Sequence, residues 1–158
     1  PCGSLGQLKS ACRCSTTQVY KYRSKISGPL LDRIDIHIDV PAVRYQELTS
    51  TMPAESSSQI KERVNKARTF QRERLKDEDI VCNAQMNHKQ VRTFCVLGKE
   101  ESELLKMAMT ELNFSARAYD KILKVSRTIA DLAGNEDIKT EHLSEAIQYR
   151  SLDRDFFV

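Results

Sequence analysis

FSARAYDKILKVSRTIADLAG, Phe114 to Gly134, is the stretch that decides the fold class. Ser115 stands where a helix cap belongs, and Tyr119, Ile122, Leu123, Ser126, Ile129, Ala130 and Ala133 recur at steps of three and four. That repeat puts one stripe on one face of a helix, and Gly134-Asn135 supplies the stop. A stripe of this width needs other helices to cover it.

Working outward, the neighbouring segments carry matching stripes. Thr140 reads as the cap of a last helix bearing Leu143, Ala146 and Ile147. Upstream, Glu100–Leu112 places Leu104, Leu105, Ala108, Met109 and Leu112 together. A short helix is predicted near His88–Cys95, with Gly98 as its C-terminal stop. Ser56 and Gln59 match a capping box for a helix over Ser58–Lys76, whose apolar face is Ile60, Val64, Ala67, Phe70 or Gln71, and Leu75. None of these helices is long enough to be stable alone, so the expectation is a small bundle of four or five.

Before the bundle the pattern changes. In ISGPLLDRIDIHIDV, Ile26 to Val40, a Gly28-Pro29 turn runs through Asp32-Arg33 into strict alternation. Residues 34–40 therefore read as a strand, with Ile34, Ile36, Ile38 and Val40 on one face. Asp35, His37 and Asp39 form the other face, read as polar and solvated rather than metal-binding. Pro41 ends the strand, and 41–55 reads as a turn-rich connection. Residues 1–25 read as an irregular loop passing into a short helix near Gln18–Lys25. A lone strand needs partners for its backbone groups, and no other segment reads as one.

The chain has 158 residues, 40% apolar and 30% charged, an ordinary composition for a water-facing domain. It has no apolar run long enough to cross a bilayer and no basic-then-apolar leader. A net charge of +3 does not by itself argue for nucleic acid. Basic residues cluster at 1–30 and at 61–76; the second cluster, Lys61 to Lys76, reads as the solvated face of a helix. Five cysteines is an odd number, unlike the even framework of a secreted mini-protein, so a reducing, cytoplasmic setting is expected. Cys82 and Cys95 sit among apolar residues and read as inert core thiols. There is no phosphate-cradling glycine loop, no HExxH and no arrangement of nucleophile and base. The chain starts at Pro1 and is expected to be a piece of a longer protein.

Three stretches carry a resemblance: SGPLLDRIDIHIDVPAV; FSARAYDKILKVSRTIADLAG followed by HLSEAIQYRSLDR; and the opening PCG…CRC. Together, in this order, they resemble the Mg-chelatase-related AAA+ ATPases of the ComM/YifB type. The resemblance implies a mainly α fold, the helical lid of an AAA+ ATPase preceded by a remnant of its α/β core. It divides the chain into 1–45 (end of the core), 46–58 (linker) and 59–158 (lid). It implies that the parent binds ATP and Mg²⁺, works as a homo-oligomeric ring, expected to be a hexamer, and is coupled to DNA remodelling such as branch migration. The phosphate loop and metal-holding acids of such proteins lie upstream, so this piece alone is expected to be inactive.

The same resemblance implies roles for two arginines. Arg33, in the LLDR run, would reach a neighbouring subunit's nucleotide as an arginine finger. Read without the family, Arg33 would simply pair with Asp32 or Asp35. Arg117, in the SAR triplet at a helix start, would be the lid's sensor arginine for phosphate, on its own or a neighbour's site. Arg127 and Arg150 read as lid surface or interface residues. Cys2, Cys12 and Cys14, spaced C-x₉-C-x-C, offer three thiolates for a structural Zn; the alternative is three unmetallated thiols. Family members commonly begin this stretch CPCG, which implies a fourth cysteine before Pro1. Two other functions are open: the motor of a magnesium chelatase-like metal-insertion complex, or a stand-alone zinc-containing nucleic-acid module.

Overall fold

The computed structural model describes residues 1–5, 12–38, 40, 43 and 54–150. Asp39, Pro41 and most of the predicted 41–55 connection lie outside the described residues, as do 151–158. Within them the chain is mainly helical: α1 Thr16–Arg23, α2 Gly28–Leu31, α3 Ser57–Arg74, α4 His88–Phe94, α5 Lys99–Glu111, α6 Ala116–Ala133 and α7 Thr140–Gln148, with a 3₁₀ turn at Asn83–Gln85.

The caps expected at Ser56 and Ser115 hold, and Ser15 and Asn87 add two that the sequence reading did not name. Ser15, Ser56 and Asn87 each accept from the backbone three residues on, where Gln18, Gln59 and Gln90 bond back in return. Ser115 accepts from the Ala118 N–H at 3.1 Å. Gly134 ends α6 in the left-handed region at φ +72°, where a side chain would be strained. α6 is the hub, packing against α3, the 3₁₀ turn, α4 and α7, while α7 also meets α5. Ile122, Leu123 and Ala130 of α6 join Leu75, Met86, Val91, Cys95, Leu105, Ile138, Leu143 and Ala146 in one core.

Several expectations are corrected. Gly98 does not stop α4; Cys95 does, and Gly98 is the N-cap of α5 with extended backbone. A Cβ there would meet Glu101 Oε2 at 2.5 Å, because the Glu101 carboxylate folds back over the helix start. α7 is capped at Lys139 rather than Thr140: His142 Nδ1 accepts the Lys139 N–H at 3.0 Å, and Thr140 donates instead to Glu101 at 2.9 Å. On α3 only Ala67 and Gln71 are buried, with Leu75 just beyond; Ile60, Val64 and Phe70 stay exposed, so of the two alternatives at this point of the stripe Gln71 rather than Phe70 faces inward.

The strand is the largest correction. Residues 34–38 are irregular, with no ladder, and the predicted apolar face is not the buried one. His37 is buried at 7% exposure, whereas Ile34, Ile36, Ile38 and Val40 are 41%, 45%, 67% and 80% exposed. The described residues contain no second strand to pair with. The segment instead hangs on the helices by single bonds, one of them from the His37 N–H to Tyr149 O at 2.8 Å.

Candidate functional site

Arg33 stands one residue past the C-cap of α2, where Pro29 presets the first turn and Leu31 is the buried anchor. Its side chain is exposed, and Nη1 donates to Pro29 O at 2.9 Å. Neither flanking carboxylate is spent on it. Asp35 pairs with Lys121 of α6, and Asp32 lies 3.7 Å from Arg150 Nη2. Arg150, read from the sequence as a surface or interface residue, is in fact buried, and its Nη1 donates to Ile34 O. Thus three bonds, from Arg150, Lys121 and the Tyr149 carbonyl, fasten the residues around Arg33 to the C-terminal helices. Between this segment and α6 and α7 lies a groove of about 400 Å³, bordered by Ile36, Ile38, Lys121, Lys124, Ile129 and Tyr149.

Arg117 lies in the first turn of α6 and is exposed. Free N–H groups at a helix start favour an anion there. Lys121, which holds Asp35, is one turn further along the same helix. The fold therefore ties the Arg33 segment to the helix that begins at Arg117. Lys121 and Arg150 were not singled out from the sequence as holding that segment. Arg150 lies beyond the end of α7, outside any helical repeat that would mark it as buried.

A second polar cluster lies inside the bundle. The Asp131 carboxylate, fully buried, receives Arg74 as a fork, Arg127 Nε at 3.2 Å and Asn83 Nδ2 at 2.8 Å. Arg127 also donates to the carbonyls of Asn135 and Glu136, so it braces the α6–α7 turn and is not a lid-surface residue. Desolvation holds the Arg127 guanidinium below its ordinary value, and the Asp131 charge works against that. Arg74 likewise leaves the otherwise exposed basic face of α3. Nearby, burial pushes the Cys95 thiol up to about 11, so it stays protonated and inert as expected; Cys82 is only half-buried.

At the other end of α1, Cys2, Cys12 and Cys14 converge, their sulfurs all within 4.8 Å of one another and those of Cys2 and Cys12 3.4 Å apart. The Ser4 N–H donates to Cys2 Sγ at 3.5 Å, and this amide, followed by the neighbouring thiols, lowers the Cys2 thiol to about 6. α1 separates this cluster from the Arg33 turn by about 12 Å of helix, at 1.5 Å per residue. The structure thus brings the three cysteines together and keeps them apart from the arginines along the chain.

The family described as "Magnesium chelatase, subunit ChlI C-terminal" matches residues 54–150, and "Magnesium chelatase, subunit ChlI" matches residues 1–48. The chain belongs to the magnesium chelatase ChlI family. It is 41% identical over 143 residues to competence protein ComM of Haemophilus influenzae and 38% identical over 143 residues to YifB of Escherichia coli. A Mycobacterium tuberculosis protein, Rv2897c, is 28% identical over 150 residues. These alignments cover 90%, 90% and 95% of this chain but only 27%, 28% and 30% of the relatives, so it corresponds to less than a third of their length. It is a C-terminal portion of a ComM/YifB-type protein. Within this ChlI-family chain, Arg33 and the three cysteines fall in the first matched region. Arg117 and the Asp131 cluster fall in the second.

Proposed function

We propose that this chain is the lid-bearing end of a ring-forming AAA+ ATPase, in which Arg33 completes a neighbouring subunit's ATP site and Arg117 senses phosphate. The observation that carries the reading is that Arg33 is left exposed while both adjacent carboxylates are drawn off by Arg150 and Lys121. A guanidinium held this way, with Nη1 on the Pro29 carbonyl and neither carboxylate paired to it, keeps its remaining donors for a phosphate, and its charge is permanent. The bonds to α6 and α7 make its position follow the lid. Arg117, at the start of α6, would then report phosphate to the same helix that steadies Arg33 through Lys121.

Magnesium finds no hard-oxygen cluster here: among the described residues the one group of metal-capable side chains is the three thiols. No step through Mg²⁺ is placed on these residues. Coupling to DNA, such as branch migration, is what the family resemblance implies, and one relative is named a competence protein. The exposed Lys61, Arg63, Lys66, Arg68 and Arg72 of α3 are compatible with it. The family description favours a second reading, a motor for metal insertion into a porphyrin.

The test is subunit mixing in the full-length parent. Arg33→Ala subunits mixed with subunits defective in their own phosphate loop should regain ATP turnover, because each supplies what the other lacks. Homogeneous Arg33→Ala should lose about 10³–10⁵ in rate, the range for arginine fingers. Arg33→Lys should not restore it. Unchanged turnover in the Arg33→Ala ring rejects the finger. Stimulation by branched DNA, against stimulation by a metal-free porphyrin, separates the two substrate readings.

A further inference from the structure

We propose that Cys2, Cys12 and Cys14 form a binding site for one thiophilic divalent cation of the zinc class, which clips the residues before α1 to its start. Three observations carry it. The sulfurs occupy one small triangle: all three lie within 4.8 Å of one another, and those of Cys2 and Cys12 are 3.4 Å apart. Tetrahedral thiolates around zinc at about 2.3 Å stand about 3.8 Å from one another, so the triangle fits one shared ion with small adjustments. It is too open for a disulfide, whose sulfurs lie about 2.05 Å apart.

The backbone is shaped for the same purpose. Gly3 follows Cys2 at φ +75°, a conformation that side chains rarely adopt. A Cβ there would meet nothing within 4 Å, so backbone conformation rather than crowding calls for glycine. That turn aims the Ser4 N–H at Cys2 Sγ, the amide-to-sulfur bond that steadies a thiolate ligand.

The third observation is energetic. α1 buries none of its residues, so among the described residues the helix next to the thiols has no apolar anchor. Ordering a residue costs about 1–2 kcal/mol of backbone entropy, and three small thiols in contact do not offset that for a loop. A metal that crosslinks Cys2 to the Cys12–Cys14 pair does, since its binding free energy becomes folding free energy. Cys2 is exposed and the other two are half-buried, and a water or another donor would complete the tetrahedron.

The 158-residue chain, reduced and metal-stripped, is titrated with Co²⁺ and Cd²⁺, followed by displacement with Zn²⁺ and elemental analysis. The expected result is one equivalent per chain, with a thiolate-to-cadmium charge-transfer band and tetrahedral cobalt absorption. Cys2→Ser, Cys12→Ser and Cys14→Ser should each weaken binding by roughly 10–100-fold or more, while Cys82→Ser leaves it unchanged. Far-ultraviolet circular dichroism, dominated by the bundle, should stay constant across the set and excludes misfolding as the cause. Absence of the charge-transfer band, or equal binding by the three variants, overturns the site.

Discussion

Asp131 is where one side chain governs the most structure. Its carboxylate is enclosed by Arg74, Arg127 and Asn83, and Asn83 in turn reaches Thr128 at 3.1 Å and, through its backbone N–H, Gln71 at 3.2 Å. Two guanidiniums close together repel, and the buried anion is what allows them to share a site. Removing it leaves Arg127 buried and uncompensated. Asp131→Ala should therefore destabilise the chain by about 3–5 kcal/mol, read as a lowered urea midpoint. A loss under 1 kcal/mol would mean that water replaces the carboxylate at ~no cost, contrary to the enclosed geometry. In the sequence, Arg127 and Asp131 look like an ordinary charged pair one turn apart on a helix surface. Nothing local distinguishes a pair that faces water from one that faces Arg74.

At the level of elements, helix starts were legible and one stop was misread. Ser115 satisfies an otherwise free N–H in the first turn of α6, the helix on which α3, α4 and α7 pack. Ser115→Ala should cost about 1 kcal/mol by thermal or urea melting, and Ser115→Asp should recover most of it. An equal loss in both variants would show that Ser115 acts by packing instead. Gly98 illustrates the opposite case. A glycine between two helical patterns can close the first or open the second, and composition does not choose. Glu101 chooses: its carboxylate lies over its own N–H, with Thr140 and Gly98 adding donors, and is held below the usual carboxylate range. On α3 the repeat marks an apolar face but not how much of it a neighbour covers, and only Ala67 and Gln71 are buried.

Across the whole molecule, the 32–38 segment is coupled to the far end of the chain. Arg150 meets Ile34 O across 116 positions, and the Tyr149 carbonyl accepts from His37. Arg150→Ala should release this segment while the bundle core persists. Hydrogen exchange at the His37 amide should then lose its protection by at least about tenfold, with Leu123 and Leu143 amides unchanged. Retained protection at His37 would show that Lys121 and the Tyr149 bond suffice. The sequence alone determined the mainly helical fold and most helix starts, because caps, glycine turns and the stripe repeat act within a few residues. It also placed the three cysteines as a group worth weighing. Only the tertiary structure decided that Arg127 and Arg150 are inside, that Arg74 reaches in to Asp131, and that the isoleucines of 34–40 face outward. The reason is physical: burial of a charge depends on its partner, and here the partners lie 57 positions away for Arg74–Asp131 and 116 for Arg150–Ile34. A strand, likewise, exists only with another to bond to, and a pattern of alternation cannot supply one.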